Sequence, residues 1–183
     1  SVMAFEYRDK QINILDTPGH KDFAEDTYRT LTAVDSVIVV IDVAKGVEEQ
    51  TEKLVKVCRM RNTPIIVFIN KLDREGKDAF DLLDEVETKL GLHVTPLSWP
   101  VGMGQRFKGV YSLYEKNLIL FTPHGKQEDE DYFKITDLKD ELLDNKVGTA
   151  AANELRDEIN TIVSVYPDFT REDYLNGDIC PVF

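Results

Sequence analysis

Ile65-Ile66-Val67-Phe68-Ile69-Asn70-Lys71-Leu72-Asp73 joins an unbroken apolar run to a short polar motif. A Val/Ile-rich run without alternation indicates a strand that is buried on both faces, as the strands of a parallel sheet are. In an open parallel sheet, ligands bind at the carboxyl ends of the strands, where loops and helix N-termini converge. The motif at residues 70–73 is therefore predicted to lie at a ligand-binding edge.

Similar apolar runs recur over the first half of the chain. Apolar runs at residues 12–15, 37–41 and 65–69 alternate with amphipathic stretches at residues 23–34, 47–60 and 79–90. Strands that alternate with helices predict an α/β fold with a mostly parallel sheet and helices on both faces. Gly91 is expected to cap the last of these helices at its C-terminus.

A second motif, Asp16-Thr17-Pro18-Gly19-His20, follows the first apolar run. Its place predicts that Asp16 holds a water of a Mg²⁺ ion between two phosphates, and that a backbone N–H at Gly19 reaches the terminal phosphate. His20 would then orient the water that attacks this phosphate. The alternative is a plain turn at residues 17–19, with His20 as a solvated helix cap.

The Asn70–Asp73 motif fits recognition of guanine. The Asp73 carboxylate would accept from the ring N–H and the exocyclic amine of guanine, a donor pair that adenine lacks. Asn70 would donate to the N7 edge of the base, and the Lys71 stem would lie over the purine face. The alternative is a loop in which Asn70 stops the strand and Asp73 caps the next helix.

The glycine-rich phosphate loop that normally accompanies these motifs is absent. None of the 183 residues forms Gly-x-x-x-x-Gly-Lys followed by Ser or Thr. Such a loop supplies most of the N–H donors to the β-phosphate, so we expect this chain neither to bind GTP tightly nor to hydrolyse it. The strand before the loop would also be missing, and self-association through the exposed sheet edge is expected.

The second half of the chain has a different pattern of apolar and polar residues. A turn-rich break around Trp99 precedes an alternating β pattern at residues 107–122, an acidic run at 127–131, and helical patterns at 138–143 and 150–165. We predict a partial nucleotide-binding domain at residues 1–95, a small inserted α+β subdomain at 96–178, and a return strand at 179–183. Trp99, which lies between two prolines, is expected to anchor the two halves.

Composition narrows the classes of function. Lys and Arg number 22 against 34 Asp and Glu, and a net charge of -12 opposes broad contact with nucleic acid or sequence-specific DNA binding. Cys58 and Cys180 have neither disulfide-framework nor metal-ligand spacing, which favours free thiols in the cytoplasm. His93 and His124 lack partners at zinc-ligand spacing, and no serine or cysteine hydrolase motif is present. No apolar run is long enough to cross a membrane.

These motifs and their spacing resemble the GTPase domain of the translational GTPases, whose catalytic histidine occupies the position of His20. Residues 22–36 and 44–48 look specifically like the release factor 3 group of bacterial peptide-chain release factors. Residues 99–104 and 107–111 are similar to the start of the insertion that this group carries.

The resemblance implies a protein that binds GTP or GDP with Mg²⁺, docks on the ribosome, hydrolyses GTP there, and recycles the class I release factors during translation termination. Two alternatives stay open. One is an elongation factor G-like or ribosomal protection GTPase, which shares both motifs. The other is a non-catalytic acidic interaction module, which the missing phosphate loop favours.

Overall fold

The computed structural model describes residues 1–17, 24–122 and 131–183. Its elements in chain order are β1 (Val2–Tyr7), β2 (Lys10–Leu15), α1 (Ala24–Leu31), β3 (Val37–Asp42), α2 (Glu49–Met60), β4 (Ile65–Asn70), α3 (Ala79–Leu90), β5 (Val94–Pro96), β6 (Ser98–Val101), β7 (Gly109–Ser112), β8 (Asn117–Leu120), β9 (Tyr132–Lys134), α4 (Glu141–Val147), α5 (Thr149–Val165), α6 (Arg171–Asn176) and β10 (Cys180–Val182).

A parallel sheet flanked by helices confirms the predicted fold class. Its strand order is β3-β4-β10-β5, and β3 and β4 pair in register from Val37 with Ile65 to Asp42 with Asn70. The core between this sheet and its helices contains the buried residues Ile41, Val43, Val67, Leu82 and Val86. The register brings the carboxyl ends of β3 and β4 together at one edge.

Helix α3 shows why local sequence defines its bounds. The Asp78 side chain accepts hydrogen bonds from the backbone N–H groups of Phe80 and Asp81, at 2.9 and 3.3 Å, and so caps the first turn. At the other end Gly91 has φ +61° and donates to Glu87 O, the C-terminal cap that the sequence predicts. Asp78 therefore fills the capping role that the loop alternative gave to Asp73.

The first strands differ from the expectation. The alternation of strands and helices predicts that β2 belongs to the parallel sheet, but it pairs antiparallel with β1 in a separate two-stranded sheet. The cause is local: Arg8 and Asp9 both have positive φ, 47° and 58°, as in the two-residue turns that join antiparallel strands. Neither β1 nor this hairpin was predicted from the sequence.

One face of the parallel sheet is exposed at the β3–β4 end. The exposed fractions of Ile38, Val40 and Phe68 are 62%, 59% and 45%. The unbroken apolar runs predicted burial on both faces, and at these three positions that prediction is wrong. The opposite face of the same strands carries the buried Ile41 and Val67.

In the described part of the region between β5 and β10, a four-stranded sheet is followed by helices α4, α5 and α6. Strands β6-β7-β8-β9 are antiparallel throughout, and β10 then returns to lie between β4 and β5. Arg156 of α5 pairs with Asp144 of α4, and its Nε donates to the backbone oxygen of Leu138, before α4, at 2.6 Å. The division at residues 95 and 178 stays a prediction.

Trp99 packs between elements from both halves. It is 3% exposed, and its ring lies 4.7 Å from that of Phe80 in α3. The indole N–H donates to the carboxylate of Glu158 in α5. Burial raises the pKa of this carboxyl group, while the indole donor opposes that rise.

None of the described helices is both long and apolar enough to span a bilayer.

Candidate functional site

The segment at residues 70–78, here called the 70–78 loop, starts at the last residue of β4, ends before α3 and carries the predicted guanine motif. Lys71 has φ +67°, a conformation that non-glycine residues adopt infrequently. The Asn70 side chain stabilises it by accepting from the Lys71 N–H at 3.0 Å, and the Arg74 N–H donates to Lys71 O at 3.0 Å. Asn70, Lys71 and Asp73 are all exposed, as a ligand-contacting turn requires.

Asp42, which was not predicted from the sequence, completes this edge. Its carboxylate lies 2.7 Å from the Lys71 ammonium and accepts from the backbone N–H groups of Ala44 and Lys45 at 2.9 and 3.3 Å. The hydrogen bond from Lys71 is the main reason that the pKa of Asp42 falls to about 2. One signal was available: Asp42 ends the neighbouring apolar run, at the strand end that meets Asn70.

The far end of the 70–78 loop is attached to the connection between β3 and α2. The Lys77 N–H donates to Val43 O at 3.1 Å, and the Lys77 ammonium pairs with Glu85. Glu85 also pairs with Lys89 at 2.9 Å and accepts from the Val47 N–H at 3.0 Å. The hydrogen bond from Lys77 is the main cause that lowers the pKa of Glu85 to about 2.

Asp16 and Thr17 lie at the end of β2, and the described hydrogen bonds of Asp16 are all with Ser1. The Ser1 hydroxyl donates to the Asp16 carboxylate at 3.1 Å, and the two backbones exchange hydrogen bonds at 2.8 and 3.0 Å. Asp16 is exposed. Pro18, Gly19 and His20 lie outside the described residues, so their predicted roles stay predictions.

Asp16 is the described residue that the sequence predicts to hold Mg²⁺. Across the described ranges, no group of three or more His, Cys, Asp or Glu is arranged to hold a metal ion. An exposed single carboxylate suits Mg²⁺, because this ion keeps several waters and takes one or two carboxylates beside phosphate oxygens. The water-mediated contact of Asp16 with Mg²⁺ stays a prediction.

A family model described as the elongation factor Tu GTP binding domain matches residues 1–173. The chain belongs to this family of GTP-binding domains. The match includes both motifs, the 70–78 loop and most of the region between β5 and β10. It does not distinguish one translation factor of this family from another.

A crystal structure of a Thermus thermophilus protein has the same fold, with a TM-score of 0.69 and 20% sequence identity. The similarity covers 99% of this chain and 28% of that one. The present elongation factor Tu-type domain thus spans about 28% of the length of its structural neighbour. At this identity, the likeness concerns the fold alone.

Proposed function

We propose that this chain is part of a cytoplasmic translation factor that binds GTP and hydrolyses it on the ribosome. The observation that carries the proposal is the Asn70–Asp73 motif in an exposed loop at the carboxyl edge of β4, within a domain of the GTP-binding family. The edge is where an open parallel sheet binds its ligand. Asn70, Lys71 and Asp73 take the guanine base there.

The Asp16–His20 motif takes the phosphate side of the same nucleotide. Asp16 would hold Mg²⁺ through a water, Thr17 and Pro18 would shape the turn, and the Gly19 N–H would contact the γ-phosphate. His20 orients the attacking water and is the proposed catalytic residue. A bound Mg²⁺ would neutralise phosphate charge at this site.

Within the translation factors we favour the release factor 3 group, which frees class I peptide release factors from the ribosome after termination. Its support is the sequence at residues 22–36, 44–48 and 99–104. A peptide-release assay with the full-length protein tests this. Faster recycling of class I factors supports the assignment, and GTP-dependent translocation without recycling would favour an elongation factor G-like protein.

The isolated chain is proposed to bind nucleotide weakly and to lack turnover, because it contains no phosphate loop. Isothermal titration calorimetry with GDP and Mg²⁺ tests this, with Asp73→Asn as the matched variant. A dissociation constant weaker than micromolar is expected. A micromolar or tighter constant for the wild-type chain that Asp73→Asn abolishes would refute weak binding while supporting the guanine site.

The isolated chain is also proposed to self-associate at its exposed strands. Strand β3 ends the parallel sheet and exposes Ile38 and Val40, while Val2 and Met3 of β1 are 73% and 53% exposed. Unpaired strand edges beside apolar surface favour pairing with a second copy. Light scattering at high concentration tests this, and a strictly monomeric mass would count against it.

A further inference from the structure

The segment from Trp99 to Gly104, here called the insertion turn, contacts the middle of the guanine motif. The Gly104 N–H donates to the backbone oxygen of Leu72 at 2.8 Å. Leu72 lies between Lys71 and Asp73, so this bond holds the peptide from which the proposed guanine-binding carboxylate projects. The side chains of Leu72 and Met103 line one apolar cavity together with Trp99.

The backbone of the insertion turn depends on glycine. Gly102 and Gly104 have φ +71° and +60°, where an L side chain is strained. A Cβ on Gly102 would lie 2.2 Å from the backbone oxygen of Arg106, which cannot move aside. A Cβ on Gly104 would lie 2.9 Å from the carboxylate of the exposed Glu75, which can move, so the effect of a side chain at Gly104 comes from strain at the residue whose N–H donates to Leu72 O. The turn therefore reaches the 70–78 loop in a conformation that other residues disfavour.

The insertion turn also contacts the element that ends the 70–78 loop. Phe80, in the first turn of α3, packs on Trp99 with the ring centroids 4.7 Å apart. Asp78, the last residue of the loop, caps α3 through the Phe80 N–H at 2.9 Å. Trp99 in turn donates to Glu158 on the long helix α5. Helix α5, strand β6 and the guanine motif are thus joined by contiguous contacts.

We propose that the insertion turn is a positioning element for guanine recognition, in which Gly104 and Trp99 fix the direction of the Asp73 carboxylate. This rests on the proposed GTP-binding function. On the other side, Asp42 and Val43 hold Lys71 and Lys77 of the same loop. The loop is therefore clamped between the β3–α2 connection and the insertion turn, and only the second contact comes from outside the nucleotide-binding sheet.

Gly104→Ala in the 183-residue chain tests the contact, with Gly177→Ala as the matched control. Gly177 also has a positive φ, +77°, but the nearest atom to its added Cβ is 3.9 Å away, at Asn62. Both variants therefore place a side chain at a left-handed position and carry backbone strain of the same kind. Amide hydrogen exchange at Lys71 and Arg74 is the measurement.

We expect exchange at these two amides to become at least tenfold faster in Gly104→Ala and to change less than twofold in Gly177→Ala. Equal acceleration in both variants would refute the contact's role in ordering the loop. Trp99→Phe keeps an aromatic ring against Phe80 but removes the donor to Glu158. If Gly104→Ala does not fold, Trp99→Phe replaces it as the test variant. Trp99→Phe is expected to accelerate exchange at the same two amides by a smaller factor, and an unchanged exchange rate would overturn the proposal.

The guanine readout uses the full-length protein that carries this chain, with GDP and inosine diphosphate as probes. Inosine lacks the exocyclic amine that Asp73 is proposed to accept from, so a misplaced Asp73 weakens GDP binding more than inosine diphosphate binding. Gly104→Ala is expected to reduce the preference for GDP at least threefold, and Gly177→Ala to retain it. An unchanged preference in Gly104→Ala refutes positioning.

The exchange and nucleotide-binding experiments together distinguish failure of the proposed guanine site from failure of the positioning role. A wild-type protein without preference for GDP would refute the proposed guanine site and, with it, the positioning role, whatever the exchange rates. A clear wild-type preference that Gly104→Ala leaves intact would refute only the positioning role. Faster exchange together with a reduced preference supports both.

Discussion

Replacing Glu85 by Gln tests whether charge attaches the 70–78 loop to the domain. Glu85 pairs with Lys77 at the end of the loop and with Lys89 one turn along α3, and it accepts from the Val47 N–H. Gln keeps the size and an oxygen acceptor for Val47 but loses the negative charge. The substitution therefore isolates the two ion pairs from the packing of the side chain.

The magnitude follows from the pKa of Glu85, which lies at about 2 instead of its ordinary 4.5. Each unit of pKa shift corresponds to about 1.4 kcal/mol, so the charge of Glu85 contributes at most about 3 kcal/mol to the free energy of unfolding. Lys77 and Lys89 are 37% and 44% exposed, and solvent screening reduces this to about 1–2 kcal/mol. Because the folded-state pKa is lowered, the stabilisation is present above pH 4.5 and is lost as the pH falls towards 2.

Urea unfolding at pH 7, 5, 4 and 3 measures this contribution. Glu85→Gln is expected to lower the free energy of unfolding by about 1–2 kcal/mol at pH 7, with the difference from wild type shrinking as the pH falls to 3. Glu25→Gln is the control: it breaks an ion pair with Arg29 whose side chains are 80% and 75% exposed. A constant loss from pH 7 to pH 3, or equal effects in both variants, would refute the reasoning.

Three further substitutions or labelling experiments test the rest of the domain. Tyr111→Phe removes a buried donor to Ile135 O, 2.8 Å away, and should lower the free energy of unfolding by about 1–2 kcal/mol in urea; no change would mean that water satisfies this oxygen. Burial raises the pKa of Cys180 to about 12, so its thiol should react with Ellman's reagent at pH 8 at least a hundredfold more slowly in the native chain than in guanidinium; similar rates would contradict its burial. Arg156→Lys keeps the positive charge beside Asp144 but loses the planar guanidinium fork, so the melting temperature should fall by about 3–6 °C. An unchanged melting temperature would show that an ammonium group stabilises this contact equally well.

The parts of the fold that the sequence predicts well are those with local causes. Helix α3 matches its predicted range because Asp78 and Gly91 stop it on both sides. Helix α6 was missed because it has only six residues, too few for a helical period to stand out, although Thr170 caps it and accepts from the Asp173 N–H at 3.1 Å. Strand β5, with three residues, was missed for the same reason.

The pairing of strands is harder to predict, because it depends on residues that are distant in sequence. Nothing in residues 10–15 states whether that strand joins a parallel sheet or turns back on β1. The Arg8–Asp9 turn decides it, and this turn lacks the glycine that usually marks a tight hairpin. Asp42 was missed for a related reason, since its role depends on its register opposite Asn70.

The contact between Asp42 and Lys71 bears on how the Lys71 stem is used. The sequence predicts that this stem lies over the purine face, and the structure pairs the ammonium at its tip with Asp42 at 2.7 Å. The two statements are compatible, because the ion pair holds only the charged end of a four-carbon stem. Lys71 is also held at its backbone by the Asn70 side chain. A stem fixed at both ends loses less side-chain entropy when a flat ring packs against it, and this favours binding over a stem that is free in solvent.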